Sequence, residues 1–339
     1  MSDVIDQIGD LVVHAGLLYR PEVKRLATMG RLKANGTRVG VEDSVQAGDQ
    51  ISAGGDNYMV IAGGEGRLQL IDPSLNNANT IAGKVRAHCG YHKCLTMFSR
   101  KVYKRACRVY TLTHGLRPNQ PTAFRHFYHR IEAFYNNANK YGVCSISGHK
   151  PDLDRFEDLR VVRFVRDPRD LMISSYYYHK RGAERWSKLT NPSDADWMVV
   201  NGHVPSGIPE QESLSGYLSN ASLEKGLQAE MEFRQFHFES MMQWPLEDPR
   251  VLLFRYEDIL GREPEVFEQI FDFYKLPKLT GSAAKYFANK YRLGKAEVKK
   301  DHVRNAKSQQ WRDLFTPELK QNFNHLYSNL LERYGYPLE

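Results

Sequence analysis

The sequence predicts an α/β fold: a mostly parallel central sheet with helices on both faces, plus a small β-rich N-terminal unit. Three observations carry this. From about residue 84 onward, short apolar runs alternate with segments of helical periodicity, the pattern of a parallel sheet joined by helices. The runs at 161–165 and 251–254 are almost continuously apolar, as strands covered on both faces are. Residues 36–82 differ: Gly is frequent, and Gly54-Gly55-Asp56-Asn57 and Gly63-Gly64-Glu65-Gly66 separate short apolar runs.

Taken in order, residues 1 to about 35 read as helical. Ile5, Ile8, Leu11, Val12 and Leu18 lie near helical spacing, and a second segment spans 21–32. Residues 58–61 and 68–71 read as two strands of a hairpin or small barrel. The predicted boundary follows Ala82, giving an appendage at 1–82 and a main domain at 83–339. Val85 and Ala87 suggest the first strand of that domain, followed by the loop Cys89-Gly90-Tyr91-His92-Lys93-Cys94-Leu95-Thr96 and a helix to about Val109. Residues 121–140, with Phe124, Phe127, Tyr128, Ile131, Phe134 and Tyr135, read as an aromatic-rich helix. A strand at 142–146 leads into Ser147-Gly148-His149-Lys150-Pro151. Residues 181–212 look irregular, with Pro192, Pro205, Gly207 and Pro209, and 213–244 looks like a long amphipathic helical region. Helices are expected at about 264–275, 281–292 and 316–334.

The chain has 339 residues, a net charge of +7 and a pI near 9.0. That excess suits an anionic ligand, while no Lys/Arg run is dense enough for a nucleic-acid tail. The start, Met1-Ser2-Asp3-Val4-Ile5-Asp6, lacks the basic residues of a signal peptide, and no stretch of roughly 18 apolar residues occurs. A cytoplasmic location without a membrane span is the expectation. Cys89, Cys94, Cys107 and Cys144 lack disulfide-framework or zinc spacing and read as reduced thiols, with no metal site.

Chemistry is suggested where strands end. After 161–165 come Arg166-Asp167-Pro168. Asp167 can cap a helix and Pro168 suits its first position, so a helix N-terminus faces the Arg166 guanidinium: an anion site. Ser174, two turns on, adds a hydroxyl. The Lys93 loop occupies the position of a phosphate cradle without the Gly-Lys-Ser/Thr of a nucleotide triphosphatase. His149 follows a strand, and an imidazole is the natural base near neutral pH.

These segments resemble sulfotransferases that use 3′-phosphoadenosine 5′-phosphosulfate (PAPS). Tyr91-His92-Lys93-Cys94-Leu95-Thr96-Met97-Phe98 is similar to the phosphosulfate loop Pro-Lys-Ser-Gly-Thr-Thr-Trp, with Cys94 for Ser, Leu95 for Gly, Met97 for the second Thr and Phe98 for Trp. Arg166 and Ser174 have the spacing of the 3′-phosphate segment, and His149 the location of the catalytic His. Residues 254–260, with Tyr256, look like the Tyr-Glu-Asp segment near the nucleotide. Residues 303–312 resemble the Arg-Lys-Gly-x-x-Gly-Asp-Trp-Lys loop, with Arg304 and Trp311 at its spacing and Asn305, Ala306 and Gln309 departing from it. The resemblance covers about 84–337 and implies a P-loop-related sulfotransferase fold. It implies PAPS as donor and adenosine 3′,5′-bisphosphate as product. Lys93 would stabilise the leaving phosphate, with Cys94, Leu95, Thr96 and Met97 forming its loop, and His149 would be the general base. Arg166, Ser174, Arg304, Asn305 and Ala306 would hold the 3′-phosphate. Trp311 would stack on or pack beside the adenine.

The acceptor is expected to be a small molecule with a hydroxyl or amine, its identity unread. Monomer and homodimer both stay open. The alternatives are a non-catalytic PAPS- or bisphosphate-binding module and a nucleotide-dependent kinase. A basic nucleic-acid binder ranks behind them.

Overall fold

The computed structural model describes residues 7–14, 20–53, 56–62, 68–71, 80–113, 123–128, 130–197, 200–292 and 307–338. It begins with two short helices, α1 (Ile8–His14) and α2 (Arg20–Thr28). The second helix is shorter than its sequence pattern. Gly30 takes φ +64°, the Arg31 N–H reaches back to the Leu26 carbonyl and the Gly30 N–H to that of Ala27, so a left-handed cap stops the helix. Leu32 then starts a strand instead of ending the helix. Five strands follow, β1 (Leu32–Ala34), β2 (Thr37–Arg38), β3 (Gln50–Ala53), β4 (Asp56–Ala62) and β5 (Leu68–Ile71), in the antiparallel order β2-β1-β3-β4-β5. The expected hairpin is β4 with β5, where Met59 faces Ile71 and Val60 faces Leu70. Ile51, Ala53, Tyr58 and Val60 meet Ile8, Leu11, Val12 and Val23 in a core separate from the rest of the molecule.

The second sheet is parallel throughout, in the order β10-β9-β6-β8-β7. Its first strand, β6 (Ile81–Gly90), leads through α3 (Thr96–Thr113) to β7 (Phe124–His126), then through α4 (Ile131–Asn137) to β8 (Val143–Ser147). The chain next crosses to the other side of β6 as β9 (Phe156–Val165) and enters α5 (Pro168–Lys180). After α6 (Asp194–Trp197), α7 (Leu214–Asn220), α8 (Leu223–Phe233) and α9 (Gln235–Met242) it adds β10 (Val251–Arg255) at the edge. It closes with α10 (Tyr256–Ile259), α11 (Glu263–Phe273), α12 (Lys278–Lys290), α13 (Trp311–Leu314) and α14 (Pro317–Arg333).

Side chains alternate across this sheet into two cores. Val85, Ala87 and Cys89 of β6 and Val161 of β9 join α4 residues on one face. Val162 and Phe164 join residues of α3, α5, α11 and α12 on the other. Helices on both faces explain why the 161–165 end of β9 is apolar except for Arg163.

Two expectations need correction. Residues 121–140 are not one helix: 124–126 form edge strand β7, with Phe124 opposite Val143, and Tyr128 turns the chain at φ +43° before α4. Bulky aromatics suit a half-buried pleat as well as a helix, and pairing with β8 decides. The segment 213–244 is three helices, because Ser213 and Ser222 each cap a new start and Arg234 leaves helical geometry (φ −92°, ψ 4°). Among the described residues no helix is long and apolar enough to cross a membrane.

From β6 the chain departs toward β7 and β8, and from β9 toward β10. Their carboxyl ends therefore open a crevice at a topological switch point, where open α/β sheets hold ligands.

Candidate active site

Strand register brings the candidate residues to that crevice. Gly90, the last residue of β6, pairs with Ser147 on one side and Phe164 on the other. The Lys93 loop, His149 and Arg166 thus follow the ends of three adjacent strands. Phe254 pairs with Phe164 and Arg255 with Val165, which carries Tyr256 to Arg166. The Arg166 guanidinium lies 4.4 Å from the centre of the Tyr256 ring.

The Lys93 loop is a tight turn folded over one carbonyl. The Cys94 N–H donates to Tyr91 O at 3.1 Å, and Thr96 Oγ1 donates to the same oxygen at 3.3 Å. Lys93 and Leu95 take φ +73° and +57°. Leu95, standing where the related loop has Gly, therefore adopts the left-handed conformation glycine allows freely, at a cost of about 1–2 kcal/mol. The Cys94 thiol is buried in the core, and burial pushes its pKa up to about 11. Met97 is exposed, and its Sδ receives Arg100 Nη1 at 3.7 Å.

The Lys93 ammonium sits 3.8 Å from the centre of the Tyr178 ring. Burial, then the guanidiniums of Arg181, Arg234 and Arg166, bring its pKa down to about 7. His149 is half-buried and follows Gly148, whose φ of +79° and N–H to Gly90 O (2.9 Å) lock the β8 end to the β6 end.

After β9, Asp167 caps α5 by accepting the Arg169 N–H, and also accepts Arg169 Nε and Nη2 at 2.9 and 2.8 Å. Asp170 accepts the N–H groups of Gln309 (2.6 Å) and Trp311 (3.1 Å), fastening that segment to α5. Arg166 Nη2 is 3.8 Å from Asp170 and 3.5 Å from the Lys307 carbonyl. Its Nε is buried with no hydrogen-bond partner among the described residues. Ser174, on α5, is half-buried. Trp311 is buried with the Arg169 guanidinium 3.6 Å from its ring centre. Arg304, Asn305 and Ala306 lie outside the described residues.

The residue that sequence reasoning missed is Arg234, between α8 and α9. It is fully buried, donates Nε to Ser175 Oγ at 3.2 Å, and leaves both Nη atoms without a partner among the described residues. Burial lowers its pKa to about 10. Glu230, one helical turn before it, accepts Ser175 Oγ and His179 Nδ1, each at 2.6 Å. Glu224, Lys225, Gln228, Glu232 and Gln235 share that stretch, so no local pattern singled Arg234 out.

The sulfotransferase domain family matches residues 149–335, more than half of the chain. The chain belongs to the sulfotransferase family. That match begins at His149 and leaves out β6 and the Lys93 loop. No curated protein matches the sequence. Mouse sulfotransferase SULT7A1, solved with PAP, is 13% identical with a TM-score of 0.43 over 75% of this chain and 86% of that one. Retinol dehydratase, solved with androsterone and the inactive cofactor PAP, is 15% identical with a TM-score of 0.40 over 93% and 95%. A second retinol dehydratase structure, with retinol and PAP, is 14% identical with a TM-score of 0.38 over 92% and 94%. At these scores the likenesses add nothing to the family match.

Proposed function

We propose that this sulfotransferase moves the sulfuryl group of PAPS to a hydroxyl or amine of a small-molecule acceptor, with residues 83–339 as the catalytic domain and 1–82 as an appendage. The carrying observation is the convergence of Lys93, His149 and Arg166 at three neighbouring strand ends. The residues fit an anion: Arg166 Nε and both Nη of Arg234 are buried donors without partners among the described residues, and burial, then three guanidiniums, depress the Lys93 pKa. PAPS supplies the activated sulfuryl group, and its transfer resembles phosphoryl transfer in needing mostly positioning and charge stabilisation. Lys93 neutralises the leaving phosphate oxygen, in the loop of Cys94, Leu95, Thr96 and Met97. His149 takes the acceptor proton. Arg166, Ser174 and the segment of Arg304, Asn305 and Ala306 hold the 3′-phosphate, with Tyr256 beside it.

Screening the purified protein for PAPS-dependent sulfation of an acceptor library tests this. Turnover that falls ~10²–10⁴-fold in His149→Ala, with bisphosphate affinity retained, is the expected result. A larger thermal stabilisation by adenosine 3′,5′-bisphosphate than by AMP is expected for the 3′-phosphate clamp. Bisphosphate binding without any transfer would leave the non-catalytic module as the reading.

A further inference from the structure

We propose that Tyr178 is a positioning residue for Lys93, its ring seating the ammonium and its hydroxyl fixing the ring through Glu184. This rests on the reading of Lys93 as the cation at the leaving phosphate.

The geometry is closed at each step. Lys93 Nζ stands 3.8 Å from the Tyr178 ring centre, well within cation–π range. The Tyr178 hydroxyl donates to Glu184 Oε1 at 3.0 Å. Burial and then Glu184 push the phenol pKa up to about 12, so it stays a donor at neutral pH. Tyr178 lies one helical turn beyond Ser174 on α5, so one rigid element would carry both a phosphate-binding hydroxyl and the lysine seat.

The surroundings explain why a ring is used. Among the described residues, the charged groups acting on Lys93 are Arg181 at the end of α5, Arg234 between α8 and α9 and Arg166 after β9, with Glu184 opposing them. His92 of the same loop lies 5.3 Å from the Tyr178 ring, with Nε2 3.8 Å from Glu184 Oε1, and stacks on His179 at 5.4 Å. A carboxylate against Lys93 would hold the ammonium but occupy its donors and cancel its charge. A π-face attracts the cation while leaving the N–H donors for an incoming anion. Arg181 lies 5.1 Å from the same ring, so the seat also keeps two like charges at fixed places.

The test reads Lys93 directly. Competitive acylation of the full-length protein across pH, with Lys93 followed by mass spectrometry, gives its titration without any turnover. In Tyr178→Phe the ring remains, and Lys93 should titrate close to wild type. In Tyr178→Leu the titration should move down by roughly half to one pH unit. The alkaline limb of the kcat profile should move with it, and kcat at pH 7.5 should drop about three- to eightfold, as the protonated fraction does. If Tyr178→Leu does not fold, Tyr178→Met removes the ring while keeping more volume. An unchanged Lys93 titration in the folded ring-less variant would overturn the proposal. A protein without sulfotransferase activity would overturn the functional reading alone, because the labelling result would still report on the seat.

Discussion

The two strand ends that flank the crevice handle charge in opposite ways. After β9 the carboxylates are matched: Asp167 takes Arg169 and the first turn of α5, Asp170 takes two backbone N–H groups, and Glu257 Oε1 takes the Asp167 N–H at 3.1 Å. After β6 the chain makes a strained turn, and its lysine rests on a ring among guanidiniums. A matched network gives a rigid place for a ligand. An unmatched cation keeps free energy in reserve for a charge that arrives later. Variants at the two ends should therefore fail differently.

The largest effect is expected from Asp170→Ala. It strands the N–H groups of Gln309 and Trp311 and removes the carboxylate beside Arg166, all in a buried place. Losing one partner of a buried charged network typically costs about 3–5 kcal/mol. Urea unfolding should show a loss of that size, and a change below about 1 kcal/mol would mean the β9 end is not the matched structure described.

Lys93→Ala should show the reverse signature. Removing a desolvated cation from among other cations should leave stability within about 1 kcal/mol of wild type. Turnover should fall by roughly 10²–10³, the usual cost of losing one transition-state charge partner. A destabilisation comparable to that of Asp170→Ala would erase the contrast between the two ends.

A smaller, pH-dependent difference follows from Lys93 titrating near 7 instead of 10.5. Between those values the unfolded chain holds a proton that the folded chain lacks, so Lys93 makes stability rise with pH across that window. Anion binding reverses the balance by restoring the proton. Adenosine 3′,5′-bisphosphate should take up part of a proton near pH 7.5, and its affinity should fall as pH rises toward 8.5. Calorimetry in buffers of different ionisation enthalpy measures the uptake. Lys93→Ala should abolish it, and uptake that persists there would assign the proton elsewhere.

The same contrast explains what could be read without coordinates. The β9–α5 junction was legible because its chemistry is local: a Val-rich run, a capping Asp, a Pro at the first helical position. The Lys93 loop was legible by its order in the chain, since Cys94-Leu95 replaces Ser-Gly and hides the left-handed conformation that Leu95 nevertheless adopts. Strand β7 was misread because aromatic spacing at 124–135 fits two periods and only Val143 across the sheet chooses between them. The network of Ser175, His179, Glu230 and Arg234 joins α5 to residues more than 50 positions away, and no local pattern encodes that. Tyr178 stood in view inside a Tyr cluster, but nothing in the sequence said which tyrosine faces the lysine.

The smallest effect is an inversion of rank. In the interior of α5, Leu171 is fully buried, and Leu171→Gly must cost far more than Leu171→Val, since it loses the whole side chain and weakens the helix. At Leu95 the backbone sits at φ +57° with the side chain only partly buried. A β-branched residue is least tolerant of that region, while Gly enters it freely. Leu95→Val should therefore be the worse substitution there, by about 1 kcal/mol, with Leu95→Gly recovering in strain roughly what it loses in packing. Chemical denaturation of the four variants gives the comparison. If Val is better tolerated than Gly at both positions, the turn after β6 does not hold Leu95 in the left-handed region. The strain that distinguishes it from the β9 junction would then be absent.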